Sequence, residues 1–200
     1  MKKNPFSKKA IVTTAAASFL SMISMHGMAA EEKYTIDPMH SFVVWRVDHL
    51  GFSKQTGKWP INGFILLDQN DPAKSKVTAS IKINDLVTGI AELNKHLEGS
   101  IFFDSAKYPE AIFTSQSIKL ESKKSADITG NLTLHGVTKS ISIPVTLNKL
   151  GQNPVNEKMA VGFSAETSIK RSDFDIKGFL PMVGDTVHLL VDVEAHKTAA

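Results

Sequence analysis

Apolar and polar residues alternate with a period of two along most of this chain, the pattern of strands with one dry face and one wet face. Ile128, Gly130, Leu132 and Leu134 share one side of a run. Ile141, Ile143, Val145 and Leu147 share one side of the next, with Ser140, Ser142 and Thr146 opposite. The segment between them, with Gly136, reads as a tight hairpin turn. Val77, Ala79, Ile81 and Ile83 oppose Lys76, Thr78, Ser80 and Lys82. Val161, Phe163, Ala165 and Ile169 oppose Gly162, Ser164, Glu166 and Lys170. Val187, Leu189, Val191 and Val193 oppose His188, Asp192 and Glu194, with Leu190 breaking the polar face. The pattern predicts strands over residues 34–37, 41–50, 57–67, 76–84, 111–120, 127–135, 139–147, 159–170 and 186–196. One helix is predicted over 89–97, where Ile90, Leu93 and Leu97 share a face and Gly99 follows as a C-cap.

Many strands and a single helix argue for an all-β barrel or sandwich. A transmembrane barrel turns apolar residues outward. Here every strand keeps Lys, Glu, Asp or Ser on one face, which suits a water-facing exterior and an apolar interior. An eight-stranded barrel is either just filled by its side chains or just wide enough for one small ligand. Strands of about ten residues, rising about 3.3 Å each and tilted about 40°, give a barrel roughly 25 Å tall, which suits an elongated apolar guest. Alternation alone favours the packed interior.

The first 30 residues read as a cleavable export signal. Lys2, Lys3, Lys8 and Lys9 form a positive start, 10–23 is mostly small and apolar, and Gly27-Met28-Ala29-Ala30 offers a cleavage site. The apolar run is too short and too interrupted to span a membrane. Residues 31–200 then form one domain, expected in the periplasm. Export changes the charge argument. The whole chain has 23 basic and 20 acidic residues, but the leader holds four of the lysines and no acid, leaving 19 against 20. The basic balance is a targeting signal, and no nucleic-acid partner is expected. Cysteine is absent, which excludes thiolate nucleophiles, Cys-ligated zinc and iron–sulfur clusters.

Catalytic signals are missing. There is no Gly-x-Ser-x-Gly elbow, no His-Glu-x-x-His and no Gly-rich phosphate loop. Hence no catalytic residues, no metal site and no cofactor are expected. His49 continues the parity of Val43, Trp45 and Val47, which places it inside the barrel or at its rim. Arg171 lies where a strand gives way to a loop and could meet an acidic head group. Both are head-group candidates. Val43, Trp45, Val47, Phe64, Ile81, Ile83, Phe103, Phe113, Leu132, Leu134, Phe163, Leu189 and Val191 are the candidate interior wall.

Six motifs occur in order: Tyr34-Thr35-Ile36-Asp37-Pro38-Met39-His40-Ser41, Val47-Asp48-His49-Leu50-Gly51, His96-Leu97 with Phe102-Phe103-Asp104, Tyr108-Pro109 with Phe113-Thr114-Ser115, residues 130–138, and Arg171-Ser172-Asp173-Phe174. Together they resemble the YceI family of lipid- and polyisoprenoid-binding proteins, over about Tyr34 to Ala195. The resemblance implies an extended lipocalin-like eight-stranded antiparallel β-barrel with one or two short helices. It also implies a tunnel for a long-chain amphiphile, such as an isoprenoid quinone, a polyprenyl phosphate or a fatty-acid derivative. Many members are periplasmic and dimers occur, so a homodimer is open. Two positions depart from the family pattern. Leu93-Asn94 stand where the helix usually carries Arg-Asp, and Phe174-Asp175 where Phe-Gly is usual. The expected function is a non-enzymatic periplasmic lipid carrier. The rivals are a packed-core stress-response module partnering a membrane redox protein, and an enzyme acting on a lipid or quinone.

Overall fold

A computed structural model describes Met1 and residues 31–198, so the predicted leader lies outside the described residues apart from Met1. Ten strands run β1 (Glu32–Ile36), β2 (Phe42–His49), β3 (Ser53–Pro60), β4 (Asn62–Leu67), β5 (Lys76–Lys82), β6 (Glu110–Leu120), β7 (Ser125–Leu134), β8 (Val137–Gln152), β9 (Met159–Lys170) and β10 (Val183–Lys197). One α-helix, α1 (Ala91–Glu98), lies between β5 and β6. Every pairing is antiparallel. The order β1-β4-β5-β6-β7-β8-β9-β10 closes through a β1–β10 pairing into an eight-stranded barrel, and the β2–β3 hairpin extends the wall from β10.

The extra two strands arise from two breaks. Residues 37–41 interrupt what would be one long strand, dividing it into β1 and β2. Ile61 divides β3 from β4. The break at 37–41 is tightly made. Asp37 accepts from the Met39 amide at 2.9 Å and faces His40 Nδ1 at 2.7 Å. Ser41, fully buried, donates its hydroxyl to the Glu194 carbonyl and accepts from the Glu194 amide, both at 3.0 Å. Its side chain thereby stands in for a ladder partner where β10 passes from β2 to β1. Such substitution is what a buried backbone group needs when its strand neighbour turns away.

The β7–β8 hairpin turns on His135 and Gly136, at φ 51° and 75°, the left-handed pair of a two-residue type I′ turn. His135 Nδ1–H donates to the Phe174 carbonyl at 3.1 Å, and its ring meets Tyr108 at 4.7 Å. The turn is therefore fastened to two neighbouring loops. Helix α1 begins two residues later than expected. Ile90 precedes it and is exposed, whereas Leu97 is buried. Gly99 is the C-cap, but at φ −69° rather than left-handed.

The interior is unequal from side to side. One core joins Trp45, Val47, Trp59, Leu86, Leu97, Phe102, Phe174 and Ile176 at the α1 end. A second joins Tyr34, Ile36, Ile61, Ile65, Leu67, Val161 and Ala195. Across the barrel, the inward residues of β8 are only half-buried, and their outward neighbours Ser142, Pro144 and Thr146 are exposed. A filled barrel would bury them. The expectation of a packed interior therefore fails along this wall.

Candidate functional site: an apolar cavity through the barrel

A cavity of about 1270 Å³ occupies the barrel. Ordinary small-molecule pockets span roughly 300–1,000 Å³. Its wall follows from strand parity. Val43, Trp45 and Val47 of β2, Ile81 of β5, Phe113 of β6, Leu132 and Leu134 of β7, Phe163 of β9, and Leu189 and Val191 of β10 all line it, as does Phe103 from the loop after α1. The inward face of β8 completes the wall with Ile141, Ile143, Val145 and Leu147. Alternation had marked that face, but the candidate wall omitted it.

Two wall candidates are elsewhere. Phe64 lies outside the cavity, with Lys33 Nζ 4.9 Å from its ring centroid. Inward parity through the Ile61 break falls on Ile65 and Leu67, which line the cavity instead. Ile83 is buried but not on the lining. It begins a 3-10 turn after β5, and its carbonyl accepts from Trp59 Nε1–H at 3.0 Å. The strand predicted over 76–84 ends at Lys82, so parity no longer governs Ile83.

Three aromatic rings shape the α1 end. Trp45 and Trp59 meet at 6.2 Å, and Phe103 packs edge-on to Trp59 at 5.2 Å. Gly130 is an inward position of β7 that holds no side chain. Phe113 fills its place, since a Cβ on Gly130 would come within 2.4 Å of the ring. Leu93, standing where the family pattern has Arg, adds to the apolar lining. Asn94 accepts from the Thr88 amide and hydroxyl at 3.0 and 2.7 Å, which ties down the chain entering α1.

The two head-group candidates divide. His49 lines the cavity at the end of β2. Arg171 borders the cavity too, but its guanidinium is committed. Nε donates to Gly184 O, Nη1 to Ile176 O and Gly178 O, and Nη2 to Val183 O, at 2.8–3.0 Å. These carbonyls take most of its five N–H donors. Burial pulls the guanidinium below its ordinary value, and the Asp185 carboxylate opposes that shift. Ser172 in turn holds Asp185 by its amide and its hydroxyl at 2.9 and 2.8 Å. Arg171 thus anchors the β9–β10 loop, and its guanidinium is committed to that loop's carbonyls rather than turned to the cavity as a head-group contact. Asp175, in place of the usual Gly, takes a left-handed φ of 59° and pairs with Lys177 at 2.7 Å. A short polar side chain tolerates that conformation better than most.

Among the described residues, no group of three or more His, Asp or Glu is placed to hold a metal, and no helix is long and apolar enough to cross a membrane.

A family model described as YceI-like domain matches residues 34–195. The chain belongs to the YceI-like family. Protein YceI of Salmonella agona is 39% identical over 180 residues, which covers 88% of this chain and 93% of the relative. A UPF0312 protein of Pseudomonas putida is 39% identical over 171 residues, 85% of this chain and 88% of its own. Among solved structures, Burkholderia cenocepacia BcnA superposes with a TM-score of 0.72 at 22% identity, covering 80% of this chain and 99% of that one. The Campylobacter jejuni YCEI protein gives 0.66 at 28% identity, covering 76% and 90%. A polyisoprenoid binding domain from Saccharophagus degradans gives 0.66 at 16% identity, covering 82% and 98%. These solved structures share the barrel fold described above.

Proposed function

We propose that this protein is a non-enzymatic, periplasmic carrier of a long-chain amphiphilic lipid of polyisoprenoid type, held lengthwise in the barrel. The observation that carries this is the half-burial of Ile141, Ile143, Val145 and Leu147, which face inward along β8 and border an apolar cavity. Apolar surface turned toward an interior space is matched by an apolar guest rather than by water. A chain burying roughly 400 Å² of apolar area in such a lining gains about 10 kcal/mol before the costs of association are subtracted. The polyisoprenoid-binding description of the Saccharophagus degradans neighbour supports the ligand class. The Lys-rich, then apolar, start of the chain supports export. A wall made mostly of Val, Leu, Ile and Phe supports holding a ligand rather than turning it over.

The test is to purify the mature protein from its native periplasm, extract it with organic solvent and analyse the extract by mass spectrometry. One stoichiometric isoprenoid or other long-chain species is expected. Correctly folded, gently purified protein that yields no lipid would overturn the carrier reading and favour a protein-interaction role.

A further inference from the structure

The cavity is apolar along its length but not at its ends. Four charged residues border it: Glu121, Lys123, Lys124 and Arg171. Arg171 is occupied by backbone carbonyls at the α1 end. Glu121 is occupied by Lys119 at 2.6 Å. That leaves Lys123 and Lys124, which have no carboxylate at ion-pair distance among the described residues. Both belong to the β6–β7 turn, at the end of the barrel away from α1. Polar lining gathers around them, with Gln69, Ser122 and Ser125 on the same rim.

The turn that carries these lysines is firmly held. Ser122 Oγ accepts from the Lys124 and Ser125 amides, both at 3.1 Å, and meets Ser125 Oγ at 2.7 Å. The Leu147 amide donates to the Lys124 carbonyl at 2.7 Å, which fastens the turn to β8. Two lysines thus stand on a firmly held turn that borders the apolar tunnel. An ammonium is a point charge with three donors, suited to phosphate or carboxylate oxygens.

We infer that Lys123 and Lys124 hold the anionic head group, a phosphate or carboxylate, of the lipid whose chain fills the barrel. The head lies at the β6–β7 turn and the chain points toward α1. This rests on the carrier reading and adds to it the sign of the head group and the direction of the chain. It also moves the head group to the opposite end of the barrel from His49 and Arg171.

The experiment compares geranylgeranyl monophosphate with geranylgeraniol, which share a chain and differ in charge. Wild type is expected to bind the phosphate about tenfold more tightly at low salt, an advantage that shrinks as salt rises. In the K123E/K124E variant the advantage should vanish while geranylgeraniol affinity stays unchanged, which also certifies the fold. Inorganic phosphate at millimolar concentration should not displace the lipid phosphate. Equal affinity for both ligands in wild type, or a preference that survives in the variant, would overturn the assignment and leave the carrier reading intact. Displacement by inorganic phosphate would make the turn a free-anion site and equally overturn it. Failure to bind either ligand would sink the carrier reading itself.

Discussion

The indole of Trp45 lies so close against Gly57 that a Cβ at residue 57 would stand 2.6 Å from its Cζ2. Trp45 and Gly57 face each other across β2 and β3. The absent side chain is what lets the large ring lie back against the wall instead of crossing the cavity. Its Nε1–H is buried there and meets no acceptor among the described residues. Substituting Gly57→Ala forces the ring inward. Overpacking of this kind costs about 1–3 kcal/mol. The expected result is a lower denaturation midpoint, a shift in tryptophan emission and weaker uptake of a long-chain lipid. Unchanged stability and emission would show that the ring has room to give way.

Arg171 makes a different prediction from a cavity-lining cation. Replacing it with Met leaves the Gly184, Ile176, Gly178 and Val183 carbonyls without their donor. Removing one partner from a buried charged network costs about 3–5 kcal/mol. Arg171→Met should therefore unfold at much lower denaturant, while the fraction that stays folded keeps its relative affinities for charged and neutral lipids. A stable variant with altered head-group preference would restore Arg171 as a ligand contact.

The barrel was legible wherever one face is dry. Residues 159–170 match β9 end for end, and 186–196 lie within β10, because alternation there is nearly unbroken. The start of β3 was not legible. Ser53-Lys54-Gln55-Thr56 carries no apolar residue, yet pairs with His49, Asp48, Val47 and Arg46 of β2. Its strand character comes from the partner's ladder rather than its own pattern. Phe64 is bulky and apolar yet lies off the cavity, because inward parity in β4 falls on Ile65 and Leu67. Arg171 borders the cavity, but its carbonyl partners were not legible, because the loop that supplies them comes together only in the fold. Alternation could not show the hollow, since filled and empty barrels share one pattern; only the family motifs implied it.

Asp37 and His40 predict a pH dependence for the turn between β1 and β2. The hydrogen bond to His40 holds the Asp37 carboxyl below its ordinary value of 3.8. The reciprocal hydrogen bond from Asp37 raises the His40 imidazole above its ordinary 6.5. A raised imidazole stabilises the fold fully below pH 6.5 and loses that contribution as pH climbs through its folded value. A depressed carboxyl stabilises above pH 3.8 and loses its contribution as pH falls through its folded value. The pair therefore acts most between about pH 4 and 6.5. Denaturation of wild type and His40→Asn across pH 4–9 should show the largest difference in that window and a smaller one above it. His40 is exposed, so the difference should be modest and reduced by salt. A gap that widens above neutral pH would contradict the pairing.

Filling the barrel separates a hollow interior from a packed one. Ile143 points inward from β8, lies opposite Ile128 of β7, and both border the cavity. In a closed core, Ile143→Trp would force neighbours off their rotamers at about 1–3 kcal/mol. In this barrel the larger ring projects into open space and gains apolar contact there. The variant should match or exceed wild-type stability in chemical denaturation, yet lose uptake of a long-chain alcohol such as geranylgeraniol. Both readings come from one protein preparation, so misfolding cannot imitate the result. A destabilised variant would mean that the β8 wall is already in contact with the opposite side, and the space assigned to the lipid would not exist.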